Sequence, residues 1–406
     1  MQTFLIDNDK VYSYEGLLSD INSSDGYIPI FRTHSLYEYF KNLILALSRS
    51  QPLILIDSDL TDSELEIMGL NDVNKFVKIE SLQLETYDEL INKVLESKSE
   101  ITIFTSGTTG QPKKVVHSIK TLTRSVRKAD KYKNQNWLFA YNPTHMAGLQ
   151  VFFQAFSNED ILINVFNKNR TFIFDVIDKY NVTHISATPT FYRLLLPVDR
   201  VFGSVQRVTL GGEKSSSGLY QNIQQLFPNA KLNNIYASTE AGSLFAARGE
   251  NFQIPEGIKD KFIISEENEL LIHKSLLGKS DSFTYSGDYY NTNDIVEWVD
   301  REKGLFRFIS RKNELINVGG YKVNPNEVEE SIYQIPEIEQ VVVYGKSNSV
   351  LGNILCADVC LHKGKELTEL QIRQFLTGKL QDFKIPRRIK FVESFKLTRT
   401  GKIKRS

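Results

Sequence analysis

The order of local patterns constrains this chain more than any other feature: short apolar runs that stop in turns alternate with stretches of helical period. Pro52-Leu53-Ile54-Leu55-Ile56-Asp57 reads as a buried strand ending in a turn. Leu84, Tyr87, Leu90, Ile91, Val94 and Leu95 recur at helical spacing over 84–97. Ile101-Thr102-Ile103-Phe104 is a short strand running into a Gly/Ser/Thr loop, and Phe172 to Ile177 begins a helix that ends near Asn181. Val182 to Ala187 and Val205 to Leu210 read as strands, the second ending in Gly211-Gly212, and 262–310 is rich in short β runs. This succession predicts an α/β fold of layered sheets and helices. The polar, charged string Ser310-Arg311-Lys312-Asn313 separates two apolar strands. Beyond it, a helix over 326–333, strands over 339–345 and 354–361, and a helix over 367–380 make a small α+β unit of about a hundred residues. The expected division is a large N-terminal domain, 1–310, and a small C-terminal domain, 311–406.

With 406 residues there is material for two or three domains and a sizeable core. A chain that is 41% hydrophobic and 24% charged is not disordered, collagenous or disulfide-stapled. The 49 basic and 49 acidic side chains cancel, which leaves no overall electrostatic reason to bind nucleic acid or an anionic membrane. The total conceals one concentration, since 385–406 holds eight Lys/Arg and one Glu. No apolar run approaches the ~18–20 residues of a spanning helix. Met1 to Asp7 lacks the basic and apolar segments of a secretory signal. Cys356 and Cys360, if on one strand, lie ~13 Å apart on the same face, too far for a bridge. A cytoplasmic protein with free thiols is the expectation.

The chemistry begins at Thr105-Ser106-Gly107-Thr108-Thr109-Gly110-Gln111-Pro112-Lys113. Glycines permit the close backbone approach a phosphate-cradling loop needs, the hydroxyls add donors, and Lys113 adds a mobile charge. No Gly-Lys-Ser/Thr follows, so it is not a Walker A loop, and it is not a dinucleotide fingerprint either. On these grounds alone an ordinary polar surface loop stays open.

Together with four further elements in order, Phe104 to Lys113 resembles the phosphate-loop signature of the adenylate-forming, AMP-binding superfamily: acyl- and aryl-CoA ligases, amino-acid adenylation domains and firefly-type luciferases. Tyr236-Ala237-Ser238-Thr239-Glu240 resembles that family's Tyr-Gly-x-Thr-Glu element, and Asp294 the Asp of its Thr-Gly-Asp element. Arg311 to Glu329 is similar to the long hinge motif, and Leu397 to Lys402 to the catalytic-lysine motif. The likeness spans roughly residues 100–405. It implies an N-terminal AMP- and acyl-binding domain, here trimmed at its start as in short succinylbenzoate–CoA ligase-like members, and a mobile C-terminal domain.

The resemblance implies a reaction in which a carboxylate attacks the α-phosphate of ATP, releasing pyrophosphate, and a thiol then displaces AMP. Bringing two anions together calls for cations and oriented donors. Glu240 is then the Mg²⁺ ligand, and Thr239 donates to the α-phosphate. Thr105, Ser106, Gly107, Thr108, Thr109, Gly110 and Lys113 hold the phosphates. Tyr236 stacks on adenine, Asp294 accepts from the ribose hydroxyls, Arg311 reaches the same ribose or a phosphate, and Gly212 and Glu213 line the nucleotide end. Gly211 and Ala237 border the acyl group, Gly319 and Gly320 the thiol tunnel, and Asn313 the hinge. Lys402 bridges carboxylate and phosphates. His145, in Pro143-Thr144-His145-Met146-Ala147-Gly148, matches a Pro-x-x-His-x-x-Gly element near the acyl pocket. His34, His117, His184, His273 and His362 show no mutual spacing and receive no role.

Four positions depart from the family pattern. Lys114 and Asn293 replace glycines, Asn313 replaces an acidic hinge residue, and the C-terminal motif is one residue short with Thr398 in place of Pro. Asn tolerates left-handed geometry, so the turn before Asp294 is expected to survive. Tyr141 to Met146 offers no carboxylate for an α-ammonium, which disfavours a free amino acid as substrate. Ala237, with its added methyl, points to an aryl or short acyl acid. The expected acceptor is coenzyme A. One rival is the phosphopantetheine of an acyl carrier protein; another is a non-catalytic nucleotide-binding protein.

Overall fold

The computed structural model describes residues 2–105, 112–215, 217–247, 249–348 and 352–396. Its centre is an eight-stranded sheet. From one edge the strands run Gly242–Ala247, Lys231–Ser238, Arg207–Gly211, His184–Ala187, Asn136–Phe139, Ile161–Asn164, Thr3–Asp7 and Lys10–Ser13. The inner six are parallel and the two edge strands antiparallel. Successive residues of a strand face opposite sides, and both faces are covered. Leu138 and Ile163 belong to one apolar cluster with Ile185, Val208 and Phe227. Their neighbours Phe139 and Leu162 belong to the other, with Phe4, Phe40, Phe152 and Phe156.

Against this second face lies a four-stranded sheet made of Ile30–Phe31, Leu53–Leu55, Glu100–Thr105 and Lys113–Ser118. A mostly antiparallel six-stranded sheet follows in the chain, centred on Tyr289–Asp300 and Leu305–Arg311. Several helices start where side-chain acceptors meet their free N–H groups. Thr86 and Glu89 form a capping box ahead of Tyr87–Leu95, and Thr368 and Gln371 do the same ahead of Glu369–Leu376.

The last unit has its own core, Val318, Val323, Val328, Val343, Val359, Ile372 and Ile389 among others. It consists of the strands Ile338–Asn348, Gly352–Leu361 and Arg388–Phe391, two helices and a small ribbon. The fold is therefore α/β, a large N-terminal domain followed by a smaller one. The strand Leu305–Arg311 runs across the division expected between residues 310 and 311. Cys356 and Cys360 are buried and unbridged on the strand Gly352–Leu361. Among the described residues no helix is long and apolar enough to cross a membrane.

Candidate active site

The parallel strands all deliver their carboxyl ends to one edge of the large sheet, where open α/β sheets place ligands. Tyr141, Asn142 and His145 follow Phe139, Thr188 follows Ala187, Gly212 and Glu213 follow Gly211, and Thr239 and Glu240 follow Ser238. These residues line a cleft of about 1630 Å³, joined there by Thr105, Lys113, Tyr236, Ala237, Asp294, Arg311 and Asn313.

Asp294 is engaged by two other side chains of the cleft. It is 3% exposed; its Oδ2 accepts from the Tyr236 hydroxyl at 2.5 Å, and its Oδ1 from Arg311 Nε at 2.9 Å. The carboxylate beside it raises the Arg311 guanidinium further above its ordinary value. Burial, then Asp294, pushes the Tyr236 phenol far up, so it stays a donor. The Tyr236 ring packs on Phe245 and Phe252 and shows the cleft only a small part of its surface. Asn293 has φ +62°, the left-handed turn in which it stands for glycine, and its N–H donates to Glu269 Oε1 at 2.9 Å.

Glu240 has no hydrogen bond or ion pair from its carboxylate to any other described residue, and it faces the cleft. A free carboxylate fits Mg²⁺, which takes one or two carboxylates and fills its shell with phosphate oxygens and water. Glu213 is spent differently: its carboxylate accepts from Thr190 N–H at 2.9 Å and Thr190 Oγ1 at 2.8 Å, stabilising the start of the helix Pro189–Leu194. Gly212 has φ +83°.

His145 precedes the helix Met146–Phe156. Its Nε2 lies 3.5 Å from Asp57 Oδ1, which also accepts from Asn142 Nδ2 at 2.9 Å and from the Thr144 hydroxyl. Burial alone would raise the Asp57 carboxyl; the His145 ring beside it and hydrogen bonds from Thr144 and Asn142 outweigh it and hold the group below the usual range. The stretch 141–146 has no carboxylate of its own, yet the fold brings one to it from the strand end at 57. Asp57 faces that turn and does not line the cleft. Tyr39 adds a hydrogen bond to the Pro143 carbonyl at 3.0 Å. Gly148 is required by close approach: a Cβ there would sit 2.2 Å from the Asn142 carbonyl oxygen.

Ser106, Gly107, Thr108, Thr109, Gly110 and Lys402 lie outside the described residues. Gly319 and Gly320 form the turn between Ile316–Val318 and Tyr321–Val323, at φ +57° and +91°, and do not line the cleft. The small domain reaches the cleft instead through Asn326, Glu329, Glu330 and Tyr333. Glu330 pairs with Lys214 at 3.3 Å, and the Arg193 guanidinium stands 4.9 Å from the Tyr333 ring centre.

A family model described as AMP-binding enzyme matches residues 44–261, and one for the AMP-binding enzyme C-terminal domain matches residues 327–402. A 2-succinylbenzoate–CoA ligase of Staphylococcus aureus is 25% identical over 400 residues, covering 90% of this chain and 79% of that protein. Among solved structures, the o-succinylbenzoate CoA synthetase of Bacillus subtilis with its acyl-adenylate intermediate aligns at TM-score 0.74 and 18% identity, over 99% of this chain and 94% of the other. ATP-bound MatB of Rhodopseudomonas palustris aligns at TM-score 0.76 and 16% identity, over the same shares. Those structures share the fold; the family model spans more than half of the sequence, and the chain belongs to the AMP-binding enzyme family.

Proposed function

We propose that this protein is an ATP-dependent acid–thiol ligase. A carboxylate oxygen attacks the α-phosphorus of ATP and pyrophosphate leaves, giving an acyl-adenylate; a thiol then attacks the acyl carbon, AMP leaves, and a thioester remains. The observation that carries this reading is the convergence on one cleft of the Glu240 carboxylate, Thr239 and the Asp294–Arg311 pair with His145, Gly211 and Ala237. The first group suits a metal–nucleotide and the second a small acyl group. Glu240 would hold Mg²⁺, which when bound neutralises phosphate charge. Thr239 and Lys113 would orient the phosphates, while Asp294 and Arg311 position the ribose end. Lys402 would neutralise the approach of the two anions.

The relatives named for acid–CoA ligation support coenzyme A as the thiol, and Ala237 supports a short or aryl acid. The test is pyrophosphate release across aryl, short, medium and long acids, with Mg²⁺, and with coenzyme A or a holo carrier protein as acceptor. Acid-dependent release with thioester formed on coenzyme A is the expected result. ATP binding without release for any acid would make the protein a nucleotide binder, and thioester only on the carrier would change the acceptor. Ala237→Gly is expected to widen the range of accepted chain lengths; an unchanged preference over the panel removes Ala237 from the acyl site.

A further inference from the structure

Three sheets meet behind Thr239 and Glu240. The strand Lys113–Ser118 belongs to the four-stranded sheet, and Thr239 follows the strand Lys231–Ser238 of the eight-stranded sheet. Gly278 and Lys279 lie on the connection to Tyr285–Ser286, which pairs with the six-stranded sheet. Val116 and Lys279 exchange both backbone hydrogen bonds, each 2.8 Å. The next residue, His117, is fully buried, and its Nε2 lies 2.8 Å from the Thr239 carbonyl oxygen. A carbonyl only accepts, so Nε2 carries the hydrogen and donates. The following carbonyl, of Glu240, accepts from Gly278 N–H at 2.8 Å. Two consecutive carbonyls are thus held from behind, while the Glu240 side chain is left to the cleft.

The ring is wedged as well as bonded. A Cβ on Gly278 would sit 2.6 Å from His117 Cε1 and 2.8 Å from its Nδ1, so only glycine lets the imidazole fill the seam. His117 does not line the cleft, and any effect it has on a ligand passes through the backbone it grips. It also connects that backbone to the strand Lys113–Ser118, so Thr239, Glu240 and Lys113 share one support.

We propose that His117 is a positioning residue for the metal–nucleotide end of the cleft: its Nε2–H, donated to the Thr239 carbonyl, sets Thr239 and Glu240 in register with the strand Lys113–Ser118. The proposal rests on Glu240 holding the magnesium of Mg·ATP. Outer partners of metal ligands are commonly worth about 10- to 100-fold in metal affinity.

The experiment is calorimetric titration of the full chain with ATP at stepped Mg²⁺ concentrations and in EDTA, with no acid present. H117M keeps bulk without a donor, while H117Q restores an N–H at similar reach. For H117M the Mg²⁺ half-saturation is expected to rise about tenfold, with affinity for metal-free ATP within about twofold of the parent; H117Q stays within about threefold on both. An unchanged half-saturation in H117M, or an equal loss in H117Q, overturns the role. Should H117M fail to fold, G278A, whose methyl displaces the ring, is expected to give the same rise, and no rise overturns the proposal. E240Q separates the two layers: if it keeps the parent half-saturation, the metal reading falls and the proposal with it. If E240Q loses Mg²⁺ dependence while H117M does not, His117 alone is removed.

Discussion

Asp294 binds two protein groups on a nearly buried carboxylate, and the remaining lone pairs are all it can offer a ribose. Removing it also leaves a guanidinium and a phenol without their acceptor. Asp294→Ala is therefore expected to weaken AMP binding at least tenfold, about 1.4 kcal/mol, measured by calorimetric titration. A loss below about threefold would take Asp294 out of the nucleotide site. At this scale some of the site was legible. Asn293 was expected to take the left-handed turn because its short side chain tolerates that geometry, and it does. Asp57 was not legible: beside its own strand it reads as a turn residue, and only packing of the two sheets brings it to His145. His117 carries no signal in the sequence, because histidine spacing marks metal ligands, not a donor aimed at a distant carbonyl.

Element types were readable because each announces itself locally. The helix at 84–97 appears as Tyr87–Leu95 and that at 367–380 as Glu369–Leu376, both shortened at their starts to the threonine that caps them. Period alone does not mark a cap; the free N–H groups of the first turn do. The helix Met146–Phe156 shows a further constraint, since it is pressed against the turn that precedes it at Gly148. Adding a methyl there meets backbone, which cannot rotate away. Gly148→Ala is expected to cost about 3 kcal/mol in urea unfolding and to reduce adenylation, because the displaced turn carries His145. Unchanged stability would mean that the turn yields freely.

For the whole molecule, the two domains are held by contacts that a change of orientation must break: Lys214–Glu330 and Arg193 over Tyr333. With Gly319 and Gly320 outside the cleft, their assigned part in thioester formation requires such a change. Lys402→Ala is expected to abolish acid-dependent ATP–pyrophosphate exchange while preformed acyl-adenylate still becomes thioester; normal exchange in that variant would exclude Lys402. Acid stability belongs to the same scale. Burial, with Arg207 nearby, pushes His184 down to about 4, and its ring lies 4.7 Å from that of Trp137. A base depressed in the folded state contributes fully above its unfolded value near 6.5 and loses that contribution as pH falls toward 4. Between pH 7 and 4.5 the parent should therefore lose about 2 kcal/mol more stability than His184→Phe, read from denaturant unfolding at both pH values. Equal losses would show His184 neutral in neither state's favour.

The order and kind of the elements, the α/β class with its small second domain, and the inventory of chemical groups follow from local sequence. Periodicity, caps and turn residues act over a few neighbours, so they are written where they act. Which of those groups meet depends on the packed molecule. It brought the strand ends to one edge, turned Glu213 toward Thr190 and Glu240 toward the cleft, and it joined Asp57 to His145 and His117 to Thr239. Each of these outcomes depends on how sheets buried by different parts of the chain pack on one another, a balance of apolar burial and hydrogen-bond satisfaction summed over the whole core.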